Sequence, residues 1–345
     1  MHHSVRLLGI VLLLLPLLAL AKREAPLEEG YVNPGQIEHP EWFKNSFLDL
    51  REDVAEAAEA GKRVMLYFYQ DGCPYCKKLM EDNFHQQDII ETTRKNLDAI
   101  AINMWGDREV TALDGRQMTE KEFARQMRVQ FTPTLLFLDE QGNEVLRING
   151  YYPPHKFRVA LDYVSGHHEK EGPYRAWLAR VAPEPATGKL HVEPGFLKPP
   201  YRFQDILRFG KPLLVIFEQK QCKACDELHL DYFRRPETRA LLDKFNVAVL
   251  DSWSDTPLIT PDGRRMKAKD WANELDIKYT PSMVFFDKSG QEVFRTEGYL
   301  RPFHVQSALD YVASGAYREQ PEFQRFIEGR ADALREQGIE VDLWK

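Results

Sequence analysis

Apolar and mixed stretches alternate along most of the chain, and this pattern predicts strands that alternate with helices. The first continuous apolar strand is Val64 to Tyr69, and a matching strand, Leu213 to Phe217, lies in the second half. Each is followed by helical spacing, a short strand, a polar loop and another helix. A hairpin and a closing amphipathic helix complete the pattern both times. This order predicts an α/β fold in which helices flank a mixed central sheet.

The other predicted elements occupy corresponding places in the two halves. The remaining strands are Ala99 to Asn103, Leu135 to Leu138 and Glu144 to Ile148, then Val247 to Asp251, Met283 to Phe286 and Glu292 to Thr296. Leu79, Phe84 and Ile89 supply the apolar side of one helix after the first strand, and Pro236 is expected to interrupt its counterpart. Trp42 to Ala60 is predicted to form an additional leading helix in the first half.

The chain contains an internal repeat, because Trp105 to Val164 reappears at Trp253 to Val312. Matching groups are Asp114-Gly115-Arg116 with Asp262-Gly263-Arg264, Thr132-Pro133 with Thr280-Pro281, Gly150-Tyr151 with Gly298-Tyr299, and Leu161-Asp162-Tyr163-Val164 with Leu309-Asp310-Tyr311-Val312. Repeats of this length are duplicated domains, which we call the first copy and the second copy.

These observations predict a domain organisation. In chain order it comprises a signal peptide (residues 1–21), an N-terminal segment (22–39), the first domain (40–166), a linker (167–195), the second domain (196–315) and a C-terminal helical tail (316–345). The linker prediction rests on a Pro- and Gly-rich stretch that begins at Pro183. The tail is expected to form a helix that docks on the second domain.

The amino terminus has the pattern of a secretory signal. An unbroken apolar run from Leu7 to Leu20 follows Arg6 and ends in Ala19-Leu20-Ala21, so cleavage after Ala21 is expected. At helical rise the run covers about 21 Å, less than the roughly 30 Å hydrocarbon core, which makes a retained membrane anchor the weaker alternative. A bacterial periplasm is the predicted location.

Composition and charge exclude some classes of partner. Hydrophobic residues make up 43% and charged residues 29% of the chain, as in ordinary globular proteins. The net charge is -7, so no positive field is present to attract a phosphate backbone, and nucleic acid is not an expected partner.

All four cysteines fall into two short motifs, Cys73-Pro74-Tyr75-Cys76 and Cys222-Lys223-Ala224-Cys225. Each motif follows a strand and opens a helix, where free backbone N–H groups and the helix dipole favour a thiolate on the first cysteine. Cys73 and Cys222 are therefore predicted to be exposed, ionised nucleophiles. Cys76 and Cys225 are predicted to resolve the mixed disulfide and release the reduced substrate.

Paired cysteines of this kind have three other common uses: zinc binding, haem attachment and structural disulfides. A zinc site requires two cysteine pairs much closer in sequence, and haem attachment requires a histidine where Lys77 and Asp226 stand. Inert structural disulfides remain an alternative, although so small a loop would restrict the unfolded chain little.

The strand, the Cys-x-x-Cys helix start and the Thr-Pro before a hairpin together resemble the thioredoxin fold, in both copies. The leading helix and the long loop at Trp105 resemble periplasmic thioredoxin-like proteins of the sulfur-oxidation type. The resemblance implies that Pro133 and Pro281 are cis, lie against the cysteines, and form a substrate groove with Thr132 and Thr280.

The sequence also departs from thioredoxin. Tyr67 and Ile216 occupy the position of its buried Asp, so the proton acceptor is not identified, and Glu218 is a candidate. His85 and His229, which follow the motifs, are interpreted as surface residues. The dipeptides Pro74-Tyr75 and Lys223-Ala224 differ, and Lys223 is expected to favour the thiolate of Cys222.

The predicted function is therefore disulfide exchange with protein substrates, most simply as a periplasmic reductase recharged by a membrane thiol-disulfide carrier. The two sites are expected to work as a pair, by relaying electrons or by serving one substrate. No cofactor is predicted, because no Gly-rich phosphate loop or nicotinamide fingerprint is present. The alternatives are a disulfide oxidase or isomerase, and a non-catalytic binding or chaperone protein with structural disulfides.

Overall fold

A computed structural model describes residues 35–298, 300–339 and 341. The predicted signal peptide and residues 22–34 of the N-terminal segment lie outside these residues. Among the described residues, no helix has both the length and the apolar character needed to cross a membrane.

The described residues form twelve α-helices and thirteen strands, together with short 3₁₀ and π turns. The elements of the first copy are α1 (Leu50–Glu59), β1 (Arg63–Tyr69), α2 (Pro74–Lys78), α3 (Gln87–Asn96), β2 (Leu97–Asn103), β3 (Glu109–Thr111), β4 (Gln117–Thr119), α4 (Glu120–Gln126), β5 (Thr134–Leu138), β6 (Glu144–Asn149), α5 (Pro154–Ser165) and α6 (Tyr174–Val181).

The second copy repeats this order. Its elements are β7 (Tyr201–Arg202), α7 (Phe203–Ile206), β8 (Leu213–Glu218), α8 (Lys223–Leu230), α9 (Pro236–Leu242), β9 (Asn246–Asp251), β10 (Pro257–Ile259), β11 (Arg265–Lys267), α10 (Ala268–Glu274), β12 (Ser282–Phe286), β13 (Glu292–Glu297), α11 (Pro302–Ala313) and α12 (Phe323–Glu336). Residues 183–200, between α6 and β7, are called the connecting segment below.

Each copy is built on a mixed four-stranded sheet. The strand order is β2-β1-β5-β6 in the first copy and β9-β8-β12-β13 in the second. The central strand β1 pairs parallel with β2 and antiparallel with β5, and β8 pairs in the same way with β9 and β12. The predicted fold class, two tandem mixed sheets flanked by helices, is confirmed.

Both faces of each sheet are covered, which explains why β1 and β8 are apolar throughout. Residues 64–68 of β1 and all of β8 are buried. In the first copy, Phe157 of α5 packs in the core on one face, and Phe123 of α4 packs in the core on the other. The two layers of side chains fix the end of the central strand, from which the cysteine motif emerges.

Several predicted helices differ from the observed ones. The leading helix begins only at Leu50, because the Asp49 side chain accepts the N–H of Arg51 and caps it there, while Trp42 and Phe43 pack on the core from irregular backbone. The helix after the first motif is divided by a π turn over Leu79–Asn83. Pro236 starts α9 instead of interrupting a helix, since a proline fits the first helical turn.

The polar loops and the predicted linker contain elements that were not predicted, and the predicted tail forms a helix. The polar loop after Trp105 folds into the short pair β3 and β4, and β10 and β11 do the same in the second copy. Helix α6 lies within residues 167–195, where a linker was predicted, and its Tyr174 is buried. Helix α12 forms in the predicted tail, and its Phe323 packs in the core of the second copy.

The two copies exchange aromatic side chains. Phe131, just before Thr132-Pro133, packs in the core of the second copy against Phe294 and Phe323. Tyr279, just before Thr280-Pro281, packs in the core of the first copy. Because each copy supplies a residue to the other's core, neither is complete alone.

Helices α6 and α12 make a second reciprocal contact. The Arg175 guanidinium of α6 lies 4.6 Å from the ring centre of Trp253 in the second copy. The Arg325 guanidinium of α12 lies 4.7 Å from the ring centre of Trp105 in the first copy. The repeat therefore extends through these helices, which tie each copy to the long loop of the other.

Candidate active site

Both cysteine motifs lie at the start of a helix, as predicted. Cys73 is the N-cap of α2 and Cys222 is the N-cap of α8. The backbone N–H of Cys76 donates to Cys73 Sγ over 3.0 Å, and that of Cys225 donates to Cys222 Sγ over 3.1 Å. A hydrogen bond from a helix N-terminus favours negative charge on the first sulfur when the pair is reduced.

The sulfur atoms are more enclosed than predicted. Each pair forms a disulfide within its own motif, with the two Cα atoms 5.2 Å apart. Cys73 is 3% exposed and Cys222 is 7% exposed. The predicted exposure of Cys73 and Cys222 is therefore wrong for this disulfide-bonded state. The predicted ionisation concerns the reduced cysteines and stays a prediction.

The Thr-Pro elements lie directly beside the disulfides. The Thr132-Pro133 and Thr280-Pro281 bonds are cis, as predicted. Cys73 Sγ lies 3.4 Å from the carbonyl oxygen of Thr132, and Cys222 Sγ lies 3.5 Å from that of Thr280. The structure thus brings each cysteine pair together with the Thr-Pro element of its own copy.

The expected substrate grooves are partly covered. Thr132, Pro133 and Pro281 are buried, and Thr280 is half-buried. A Cβ atom added to Gly298, next to the second groove, would lie 3.4 Å from the Tyr152 hydroxyl of the first copy. In this arrangement the first copy occupies part of the rim of the second groove.

The two dipeptides have different surroundings. Tyr75 of the first motif contacts His304 of the second copy, with ring centres 5.8 Å apart. Burial lowers the pKa of His304 to about 4, so this ring is neutral at pH 7. Lys223 is exposed, and its Nζ lies 3.9 Å from the carboxylate of Glu227. This carboxylate offsets part of the positive charge that was expected to favour the Cys222 thiolate.

A buried charged cluster lies beneath the second motif. His229 Nε2 lies 2.7 Å from Glu218 Oε1, and His229 Nδ1 lies 3.0 Å from Glu193 Oε1. Glu218 and His229 are fully buried, and Glu193 is 4% exposed. The interpretation of His229 as a surface residue is therefore wrong, since α8 turns this side chain towards β8.

The cluster holds a proton on the histidine. Burial lowers the pKa of His229, but the hydrogen bonds and negative charges of Glu218 and Glu193 outweigh it and leave the pKa above the usual 6.5. The ring of His191 stacks on His229 at 4.7 Å and its Nε2 lies 2.6 Å from Asp226 Oδ1. A second polar pair thus lies beside the cluster.

The connecting segment supplies part of this site. Glu193 and His191 belong to it, and so does Thr187, whose N–H and hydroxyl both donate to the Asp226 carboxylate. These contacts fasten residues 187–193 to the redox helix α8.

The first copy has a different set of residues at the same positions. Tyr69 corresponds to Glu218, and Met80 corresponds to His229. The rings of Tyr69, Tyr67 and His39 pack together, with the His39 and Tyr69 centres 4.4 Å apart. Burial raises the pKa of Tyr67 well above its usual value, so its hydroxyl stays protonated at neutral pH.

His85 and the two loop tryptophans are held by hydrogen bonds to neighbouring groups. His85 is exposed, and its Nδ1 lies 2.9 Å from the carbonyl oxygen of Met80. Trp105 donates through Nε1 to Gln70 over 2.7 Å, and Trp253 donates to Gln219 over 3.0 Å. The tryptophans thus anchor their loops to the end of the central strands.

Sequence reasoning missed Glu193 and His191. Neither residue follows a periodic pattern, and both are far from the motif in sequence. A buried histidine four positions after Cys225, on the same side of an amphipathic helix, was the available signal.

The chain is similar to known proteins over both copies. The family model described as a thioredoxin-like domain matches residues 50–165 and 200–313. The thiol:disulfide interchange protein DsbD of Photorhabdus laumondii is 28% identical over 167 residues, which cover 46% of this chain and 26% of that protein. The DsbD of Colwellia psychrerythraea is 28% identical over 102 residues, or 30% of this chain and 15% of that protein.

The chain therefore spans about a quarter or less of the length of these curated relatives. Among solved structures, a thioredoxin-fold protein from Helicobacter pylori is 22% identical with a TM-score of 0.29, and the match covers 37% of this chain and 86% of that one.

Proposed function

Because this chain belongs to the thioredoxin-like domain family and is a thiol-disulfide oxidoreductase of that family, we propose that it reduces disulfides of protein substrates in the bacterial periplasm. The observation that carries the proposal is the position of each disulfide. It lies at a helix N-terminus, with a backbone N–H on the first sulfur and a cis Thr-Pro carbonyl within 3.5 Å.

In the proposed reaction, the reduced first cysteine attacks one sulfur of a substrate disulfide. The new bond joins Cys73 or Cys222 to the substrate, and the other substrate sulfur leaves as a thiolate and takes up a proton. The second cysteine then attacks the first, forms the disulfide within the motif, and releases the remaining substrate thiol. Two electrons pass from the motif to the substrate.

A donor must return these electrons, and a membrane thiol-disulfide carrier is the proposed source. The partial similarity to proteins named for thiol-disulfide interchange supports this environment. The apolar run from Leu7 to Leu20 supports export, with cleavage after Ala21. Thr132 and Thr280 are proposed to present backbone groups to an extended substrate.

The two sites are proposed to work as a pair. Tyr75 of the first motif contacts His304 of the second copy, and Tyr152 of the first copy covers Gly298 beside the second groove. Both motifs therefore adjoin the surface between the copies, which supports exchange of electrons between them or joint contact with one substrate.

Reduction of insulin by dithiothreitol tests the proposal. The mature protein is expected to accelerate the reaction, and separate titration of each motif against glutathione is expected to give two reduction potentials below that of an oxidase. Rapid oxidation of a reduced unfolded protein, without acceleration of insulin reduction, would favour the oxidase alternative. Resistance of both pairs to reduction would contradict the proposed activity.

A further inference from the structure

One carboxylate oxygen beneath the second motif has no assigned role. Glu218 Oε1 accepts a hydrogen bond from His229, but Glu218 Oε2 is buried and has no hydrogen-bond partner within the described part of the chain. An unpaired buried carboxylate oxygen is costly, by about 1–3 kcal/mol or more, and such atoms are often retained for chemistry.

The cluster lies on the same side of α8 as the resolving cysteine. Cys225 and His229 are four residues apart on the helix, so their side chains project from one face about 5–6 Å apart at Cβ. Cys225 is 2% exposed. Glu218 and Cys225 therefore both adjoin His229, Glu218 through its hydrogen bond and Cys225 one helical turn away.

Several charged and polar groups surround the cluster. Glu218 contacts His229 from β8, and Glu193 contacts it from the connecting segment. Arg239 of α9 lies 3.5 Å from Glu193. The second layer is His191, paired with Asp226. The Arg234 Nε donates to the backbone oxygen of His229, away from the ring. None of these groups donates a hydrogen bond to Glu218 Oε2 within the described residues.

We propose that Glu218 accepts the proton of Cys225 through its free Oε2, and that His229 and Glu193 are positioning residues that hold it there. The connecting segment is then part of the second redox site. The first copy has Tyr69 and Met80 at the positions of Glu218 and His229. The inference rests on the proposed thiol-disulfide exchange and assigns the proton within it.

The proton transfer fits the resolving step. Cys225 gives its proton to Glu218 and, as a thiolate, attacks Cys222 Sγ in the mixed disulfide. The bond between Cys222 and the substrate sulfur breaks, and the bond between Cys222 and Cys225 forms. The substrate leaves with the electron pair of the broken bond and takes a proton from Glu218 or from water, which restores the carboxylate.

The test separates attack from resolution. The full-length protein with Cys73→Ser and Cys76→Ser is reduced and mixed with dithiobis-nitrobenzoate over a range of pH. Attack by Cys222 releases one thionitrobenzoate, and attack by Cys225 releases the second, so absorbance follows the two steps as two phases.

Glu218→Gln is expected to slow the second phase about a hundredfold at pH 7, in line with the loss of a general base, and to leave the first phase unchanged. The deficit is expected to shrink as the pH rises. Glu193→Gln and His229→Gln are expected to shift the pH profile of the second-phase rate to higher pH, as Glu218→Gln does. Glu237→Gln is the matched control, because it makes the same substitution at an exposed carboxylate of α9.

An unchanged second phase and pH profile in Glu218→Gln would overturn the inference. If that variant does not fold, as judged by circular dichroism, Glu193→Gln and His229→Gln decide, and a profile that neither shifts overturns it. A missing first phase in the unsubstituted background would instead contradict the proposed function, because Cys222 would not be acting as a nucleophile.

Discussion

The two redox centres have the same groups around their sulfur atoms but different residues packed beneath the motifs. Above, each has a cysteine at a helix N-cap and a cis Thr-Pro carbonyl close to its sulfur. Beneath, the first has packed aromatic rings, whereas the second has Glu218, His229 and Glu193. The repeat therefore retains the geometry of the sulfur pair while changing the residues that pack beneath it.

The first and largest expected effect concerns the nucleophiles. Cys73→Ser and Cys222→Ser are each expected to remove disulfide exchange at their own centre, because a hydroxyl does not replace the attacking sulfur. The double variant is expected to reduce insulin only at the uncatalysed rate. Activity of both single variants equal to the unsubstituted protein on every substrate would contradict pairing of the centres.

The second prediction concerns Phe131 and Tyr279, which the two copies exchange in the same way. Phe131→Ala and Tyr279→Ala are each expected to lower the free energy of unfolding by about 3–5 kcal/mol, because each leaves a cavity in the other copy's core. Urea denaturation measures the change. Exposed Phe47→Ala is the control, with an expected change near zero.

The third prediction uses pH to test the residues beneath the second motif. His229 has a folded-state pKa above its usual 6.5, so its contribution to stability is complete below about pH 6.5 and disappears as the pH rises through the raised value. Unfolding curves of the unsubstituted protein and of His229→Gln, from pH 6 to 9, should converge as the pH rises. Parallel curves would contradict this assignment.

The smallest expected effect concerns a charge pair between the copies. Lys278 Nζ lies 2.8 Å from Glu144 Oε1, and Arg147 also bonds that carboxylate. Burial alone would raise the pKa of Glu144, but the two cations hold it at about 2. Lys278→Gln is expected to cost about 1 kcal/mol, less at high salt, because the pair is only partly enclosed. An equal loss at low and high salt would indicate that the contribution is packing and not charge.

The local features of the fold were predictable from the sequence. The strand β1 was predicted from Val64 and observed from Arg63, and β8 was predicted to Phe217 and observed to Glu218. Apolar runs that are buried on both faces give a clear signal, and the repeat allowed each strand to be checked against its counterpart. The Thr-Pro elements were found in the same way.

The features that depend on packing between distant segments were not predictable. Glu193 reaches His229 from the connecting segment, and Phe131 reaches Phe323 across the two copies, and no local pattern encodes either contact. The burial of Cys73 has the same origin, since Cys73 packs in a core cluster whose members come from distant parts of the chain. Glu218 could be named as a candidate, but its partners could not.

The exchange of Phe131 and Tyr279 has a consequence for how such a chain could be dissected. A fragment carrying one copy would expose its own Phe131 or Tyr279 ring, and its core would lack the ring that the other copy supplies. Two identical fragments could satisfy each other by isologous pairing, with the same patch used on both sides. The tandem protein is thus organised as a covalently joined homodimer whose protomers have since diverged.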